Sequence, residues 1–188
     1  MRKTRIGVLS LQGAFQLHQW HLENAGAEYK EVVTLKDFEK IDGLILPGGE
    51  SSTMLKLINT VGIGEVLVKF FKSKPIWGIC AGAILMAKTV QNPPQKSFGI
   101  IDITIERNAY GHQLESFQGK VKDYEVSYIR APKILSIGNS VNVHAAIDRS
   151  PVWIESDNLS VTTFHPETNR SIPSPWHQHL IKKCQAEK

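Results

Sequence analysis

Cysteine is scarce: only Cys80 and Cys184 occur in 188 residues, too few for a disulfide framework. Long apolar runs are missing as well, and none approaches the ~20 residues of a membrane-crossing helix. The basic start Met1-Arg2-Lys3-Thr4-Arg5 leads into Ile6-Gly7-Val8-Leu9, which Ser10 and Gln12 interrupt before it could serve as a signal-peptide core. A secreted disulfide scaffold and a membrane protein are thereby disfavoured, and a cytoplasmic location is expected. No repeat, low-complexity tract or long Ser/Gly linker divides the chain, so residues 1–188, 41% hydrophobic, are expected to form a single domain with one packed core. His177-x-His179 has no second pair at zinc-like spacing, so no metal is expected. The net charge of +4 is spread among 18 acidic residues without basic–aromatic clusters, which disfavours a nucleic-acid partner.

What is present is an alternation of apolar strands and amphipathic stretches. Thr4–Leu9 reads as a buried strand, Phe15–Ala25 as a helix ended by Gly26, and Glu28–Val33 and Gly43–Leu46 as further strands. The loop Pro47–Ser52 then leads into a helix over Thr53–Thr60, with Ser51 or Ser52 available as its cap; Ile63–Phe71 is a second helix, and Trp77 lies in the next strand. This β-α-β order predicts an α/β fold: three layers with a mostly parallel central sheet, flavodoxin-like, and functional loops at the carboxyl ends of the strands. From Phe98 onward short strands dominate, at Gly99–Glu106, Val126–Arg130, Val141–Ala146, Val152–Glu155 and Val161–Phe164. Trp176–Cys184 then closes the chain as a helix.

The segment Gly78-Ile79-Cys80-Ala81-Gly82 follows the apolar Pro75-Ile76-Trp77 and reads as a strand ending in a sharp turn into a helix. A side chain there stands at a helix start, where free backbone N–H groups favour an anion, and the flanking glycines allow the helix to approach closely. A nucleophile can be built at such a place. Cysteine chemistry of this kind requires a base and an orienter for the base, usually distant in sequence. His165-Pro166-Glu167 supplies both, spaced so that an extended segment turns the two side chains the same way.

Taken together, Leu46-Pro47-Gly48-Gly49-Glu50-Ser51, the Cys80 turn and His165-Pro166-Glu167 resemble the class I, triad-type glutamine amidotransferases. Leu11-Gln12-Gly13-Ala14, Glu106-Arg107-Asn108-Ala109-Tyr110-Gly111 and Ile129-Arg130-Ala131-Pro132 narrow the resemblance to the glutaminase subunits of pyridoxal 5′-phosphate synthases. That resemblance implies hydrolysis of L-glutamine to glutamate and ammonia by Cys80, His165 and Glu167 through a thioester, without a cofactor. Gly49, Glu50, Ser51, Arg107, Ile129 and Arg130 would bind glutamine, and the N–H groups of Gly49 and Ala81 would form the oxyanion hole. It also implies a barrel-shaped synthase partner, in a dodecameric core carrying up to about 12 glutaminase subunits. The class terms that accompany it are hydrolase and lyase.

Two departures stand out against the family pattern: His112 where Arg is usual, and Thr168 where Leu is common. The nearest alternatives are the glutaminase subunit of another amidotransferase, such as imidazole glycerol phosphate synthase, and a non-catalytic regulatory subunit. Ile84, where many relatives of the first kind carry Gln, argues against that one, and the intact Cys80, His165 and Glu167 argue against the second.

Overall fold

A computed structural model describes residues 2–109 and 117–186, and places a seven-stranded sheet at the centre. Its strands, in chain order, are β1 (Arg5–Leu9), β2 (Glu28–Val32), β3 (Gly43–Leu46), β4 (Ile76–Ile79), β10 (Asn142–Ile147), β11 (Ser150–Ser156) and β12 (Leu159–Thr162). In space they run β10-β11-β12-β4-β3-β1-β2. From β2 to β12 every pairing is parallel, while β12-β11 and β11-β10 are antiparallel. The α/β class with a mainly parallel core is therefore as the alternation of elements indicated.

Strand periodicity decides which helices cover which face. Leu44 and Leu46 of β3 point to one side, into a core with Met54 and Ile58 of α2 (Ser51–Val61), Leu67 of α3 (Gly64–Phe71) and Leu85 of α4 (Ala81–Met86). Ile45, with Ile6 and Val8 of β1, points to the other, against Leu22 of α1 (Leu17–Asn24) and Trp176 and Leu180 of α5 (Pro175–Ala186). The strands β3 and β4 are buried along their whole length, as parallel strands covered on both faces are.

The second half is rich in strands but adds three that the pattern did not announce: β5 (Ala87–Gln91), β7 (Phe117–Val121) and β9 (Lys133–Ile137). β5 and β9 flank β6 (Ile101–Glu106) in a small sheet, and β7 forms a hairpin with β8 (Tyr124–Tyr128). These short segments, with half or more of their side chains exposed, lack a clean apolar alternation; their pairing partners make them strands. The strand expected to reach Arg130 stops at Tyr128, because Arg130 takes a left-handed φ of 47° that no strand accommodates. Among the described residues no helix is long and apolar enough to cross a membrane.

Candidate active site

β4 delivers Cys80 to the carboxyl edge of the sheet and the chain turns at once into α4. Cys80 takes φ 48° and ψ −98°, a strained conformation for a residue with a side chain, of the kind that holds a nucleophile clear of a strand-to-helix turn. Two backbone hydrogen bonds hold it there: its N–H donates to Thr162 O at 3.0 Å, and its carbonyl accepts from Ile84 N at 3.1 Å. The glycine after it is obligatory on steric grounds. A Cβ on Gly82 would lie 2.1 Å from the Leu46 carbonyl oxygen, so a side chain would force α4 away from β3.

Parallel pairing of β12 with β4 brings the second segment alongside. Beyond β12, His165 is clamped to Ser127 by two backbone hydrogen bonds, and Glu167 follows on a 3₁₀ turn, Pro166–Thr168. His165 Nδ1 meets Glu167 Oε1 at 2.7 Å, in a pair whose side chains are 6% and 0% exposed. The ring packs so tightly on the Pro47–Ser51 loop that a Cβ on Gly48 would lie 2.2 Å from its Cε1. Burial works against a charged ring at His165, but the Glu167 carboxylate and Cys80 outweigh it and raise its pKa to about 10. Burial likewise opposes charge on Glu167, and His165 outweighs it, so the Glu167 pKa is lowered. The ring's other nitrogen, Nε2, is buried and makes no well-formed hydrogen bond, although the Cys80 thiol interacts with the ring and also makes a long contact of 3.9 Å to the Ile129 carbonyl. Unliganded sites commonly leave such bonds unformed until substrate arrives.

These groups open into a cavity of about 400 Å³ that brings together Cys80, His165, Glu167, Gly49, Glu50, Ser51, Arg107, Ile129 and Arg130. Ala81 is fully buried in the first turn of α4 and does not line it. Glu50, and neither Ser51 nor Ser52, caps α2: its carboxylate accepts from Thr53 N at 2.7 Å and Ser52 N at 3.3 Å. The longer side chain reaches back over the helix start, while the Ser51 hydroxyl turns away to Gln95 Oε1 at 2.8 Å. Partial burial of Glu50 opposes its charge, yet the Ser52 and Thr53 donors bring its pKa down to about 2. Arg107 Nη2 sits 3.2 Å from Glu50 Oε1, so a carboxylate and a guanidinium face the cavity side by side.

Gln12, Leu17, Ile84 and Asn108 also line the cavity and were not singled out as site residues. Gln12 was legible only as part of Leu11-Gln12-Gly13-Ala14; its Oε1 accepts the Glu50 N–H at 3.0 Å and so holds the loop. Thr168 has a use where Leu is common: its hydroxyl donates to the His165 carbonyl at 3.0 Å and meets Ser127 Oγ at 2.8 Å. Tyr110, Gly111, His112 and Gln113 lie outside the described residues. Of the two tail histidines, His177 is buried beside His18 and His179 Nε2 pairs with Glu155 at 2.7 Å.

Comparison with known proteins gives the family and the fold. The model of the SNO glutamine amidotransferase family matches residues 8–186. A pyridoxal 5′-phosphate synthase subunit PdxT from Fervidobacterium nodosum is 41% identical over 184 residues, covering 94% of this chain and 95% of its own. The protein of the same name from Solibacter usitatus is 47% identical over 175 residues, covering 87% of this chain and 91% of its own. A crystal structure of a glutamine amidotransferase superposes with a TM-score of 0.87 at 34% identity, over 96% of this chain and 98% of that one. PurLQS from Thermotoga maritima, at 17% identity and a TM-score of 0.61 over 98% and 99% of the two chains, shares the fold alone. The term lyase is corrected by the same findings, since an amidotransferase that releases ammonia from an amide is a hydrolase in that step. By the extent of the family match and the identity to these relatives, the chain belongs to the SNO glutamine amidotransferase family.

Proposed function

We propose that this chain acts as one glutaminase domain that hydrolyses L-glutamine and passes the ammonia to a synthase subunit making pyridoxal 5′-phosphate. The observation that carries the reading is the buried His165–Glu167 pair at 2.7 Å, sharing one cavity with the strained Cys80. Cys80, as thiolate, attacks the side-chain amide carbon, and the developing oxyanion is held by the Gly49 and Ala81 N–H groups. His165, charged by the proximity of Glu167, donates a proton to the departing nitrogen, and ammonia leaves. The neutral ring then takes a proton from water as that water attacks the thioester, which releases glutamate and restores Cys80. Glu167 keeps the ring oriented. Arg107 and Arg130 suit the α-carboxylate of glutamine, and Glu50 its ammonium; Ser51 and Ile129 complete the wall.

The partner enters through the resemblance to the PdxT subunits. Assembly as a synthase core with up to about 12 glutaminase subunits, and a cytoplasmic setting, belong to the same proposal. The partner also gives the Pro47–Ser51 loop a purpose as a switch. The Gly48 carbonyl accepts from Ala14 N at 3.0 Å, which sets the direction of the Gly49 N–H. Turning that peptide would add or remove an oxyanion donor, worth roughly two to three orders of magnitude in rate. The test is steady-state glutamate release by the lone chain and by its mixture with the synthase subunit. Stimulation by the partner is expected; equal kcat in both removes the switch, and no release in either removes the activity.

A further inference from the structure

Behind Glu167, away from the cavity, α1 and α5 bury three imidazoles where aliphatic side chains would be expected. His18, His21 and His177 are each 0% exposed, and His18, His21 and Leu22 form the buried face of α1. Such burial is tolerable only if the polar atoms are satisfied. Most are. Ser174 N donates to His21 Nδ1 at 3.2 Å, so a neutral His21 carries its proton on Nε2, which donates to the Glu167 carbonyl at 3.2 Å. His177 Nδ1 meets Ser174 Oγ at 2.5 Å, and His177 Nε2 meets His18 Nδ1 at 2.8 Å. Burial lowers the pKa of all three rings, that of His18 to about 4, so each carries a single proton near neutral pH.

Two buried polar atoms remain without a partner here: His18 Nε2 and Glu167 Oε2, the oxygen that His165 leaves free. No hydrogen bond joins the two atoms in this structure, but His21, on the same buried face of α1 as His18, bonds the Glu167 carbonyl at 3.2 Å and so sets that face of the helix against the turn that carries Glu167. The hydrogen-bond chain has only two polarities. If Ser174 donates to His177 and His177 to His18, the His18 proton lies on Nε2. The reverse order places a lone pair of that nitrogen near a buried carboxylate, which is unfavourable. We propose that His18 is a positioning residue of the glutaminase, its Nε2–H serving Oε2 of Glu167 and its tautomer set by the Ser174–His177 chain. This rests on the role given to Glu167 above. The carboxylate then has a donor on the side of the oxygen that His165 leaves free, which steadies the His165 ring with it.

The tautomer can be read without turnover. Nitrogen NMR of the full chain with ¹⁵N-histidine should show His18 protonated on Nε2 and not on Nδ1; the opposite tautomer, or a charged ring near neutral pH, overturns the inference. In the glutaminase assay with the synthase partner, His18→Phe, which fills the space without a donor, should lower kcat by about 10–100-fold and leave KM within about twofold. His18→Gln, which keeps a donor near the same position, should retain most of the activity. A purely packing role predicts the reverse order, because a buried amide packs less well than a ring. Phe equal to or better than Gln, or a loss residing in KM, would therefore overturn the proposal. Should the Phe variant fail to fold, the NMR result on wild-type protein decides alone. Failure of the glutaminase reading would instead appear as inactive wild-type protein whatever the tautomer.

Discussion

Among the residues lining the cavity, Cys80, His165 and Glu167 stand at or just beyond the ends of β4 and β12, and none is more than 6% exposed. By contrast Glu50, Arg107, Ile129 and Arg130 ride on loops and helix starts; the Glu50 side chain is 42% exposed and Ile129 is 40% exposed. The first set is held by sheet hydrogen bonds, a strained turn and a buried ion pair. The second is held by caps and a part-exposed ion pair, which contributes little to stability and can rearrange. On the roles proposed above, reaction geometry is built into the scaffold, while recognition is placed on a rim that a substrate or a partner can adjust.

The sharpest way to break this division is at the thiol. Cys80→Ala should abolish glutaminase activity with little change in folding, while Cys184→Ala, at a buried position against β3 that does not line the cavity, should be almost silent in the same assay. Next come the base and its orienter. His165→Asn should cost about 10⁶-fold in kcat and Glu167→Gln roughly 10⁴-fold, measured on folded protein; the opposite order would reverse the proposed roles. On the rim the effect should be smaller and of another kind: Arg107→Ala should raise KM for glutamine about 10–100-fold through a lost charged contact, with kcat much less affected.

Two further measurements sharpen the scaffold side. Gly82→Ala should destabilise the fold by about 1–3 kcal/mol in denaturant melts, because the new Cβ meets backbone that cannot move aside cheaply. The smallest effect is a pH signature of the His165–Glu167 pair. The lowered Glu167 pKa contributes stability above its ordinary 4.5 that is lost as pH falls through the folded value. The raised His165 pKa contributes stability that is complete below 6.5 and lost as pH rises through about 10. The stability difference between wild type and Glu167→Gln should therefore be largest between about pH 4.5 and 6.5 and shrink on either side. A difference that grows from pH 7 to 10 would contradict the ion pair.

The parallel half of the fold was legible because continuous apolar runs such as Gly43–Leu46, broken by glycine and proline, leave few alternatives. The edge strands β5, β7 and β9 were not, since nothing in a partly exposed five-residue segment marks it as paired. The α2 cap was misplaced by one or two residues because two serines match the usual capping preference, whereas Glu50 gains Arg107 as well as the helix start. A preference scale registers local competition only, and Arg107 is 57 residues away.

By itself the chain determined where a nucleophile could stand and which histidine and carboxylate could serve it. Gly78-Ile79-Cys80-Ala81-Gly82 permits the sharp turn and the close helix, and His165-Pro166-Glu167 sets the spacing of the pair. Only the tertiary structure decided that these two segments meet, through the parallel pairing of β4 with β12, and that Arg107 faces Glu50. It alone placed His18 against His177, 159 residues later, behind the carboxylate. The physical reason is range: turn and spacing are written in consecutive backbone torsions, whereas the charge state of His165 and the satisfaction of buried imidazoles depend on neighbours that only the packed sheet brings within a few ångströms.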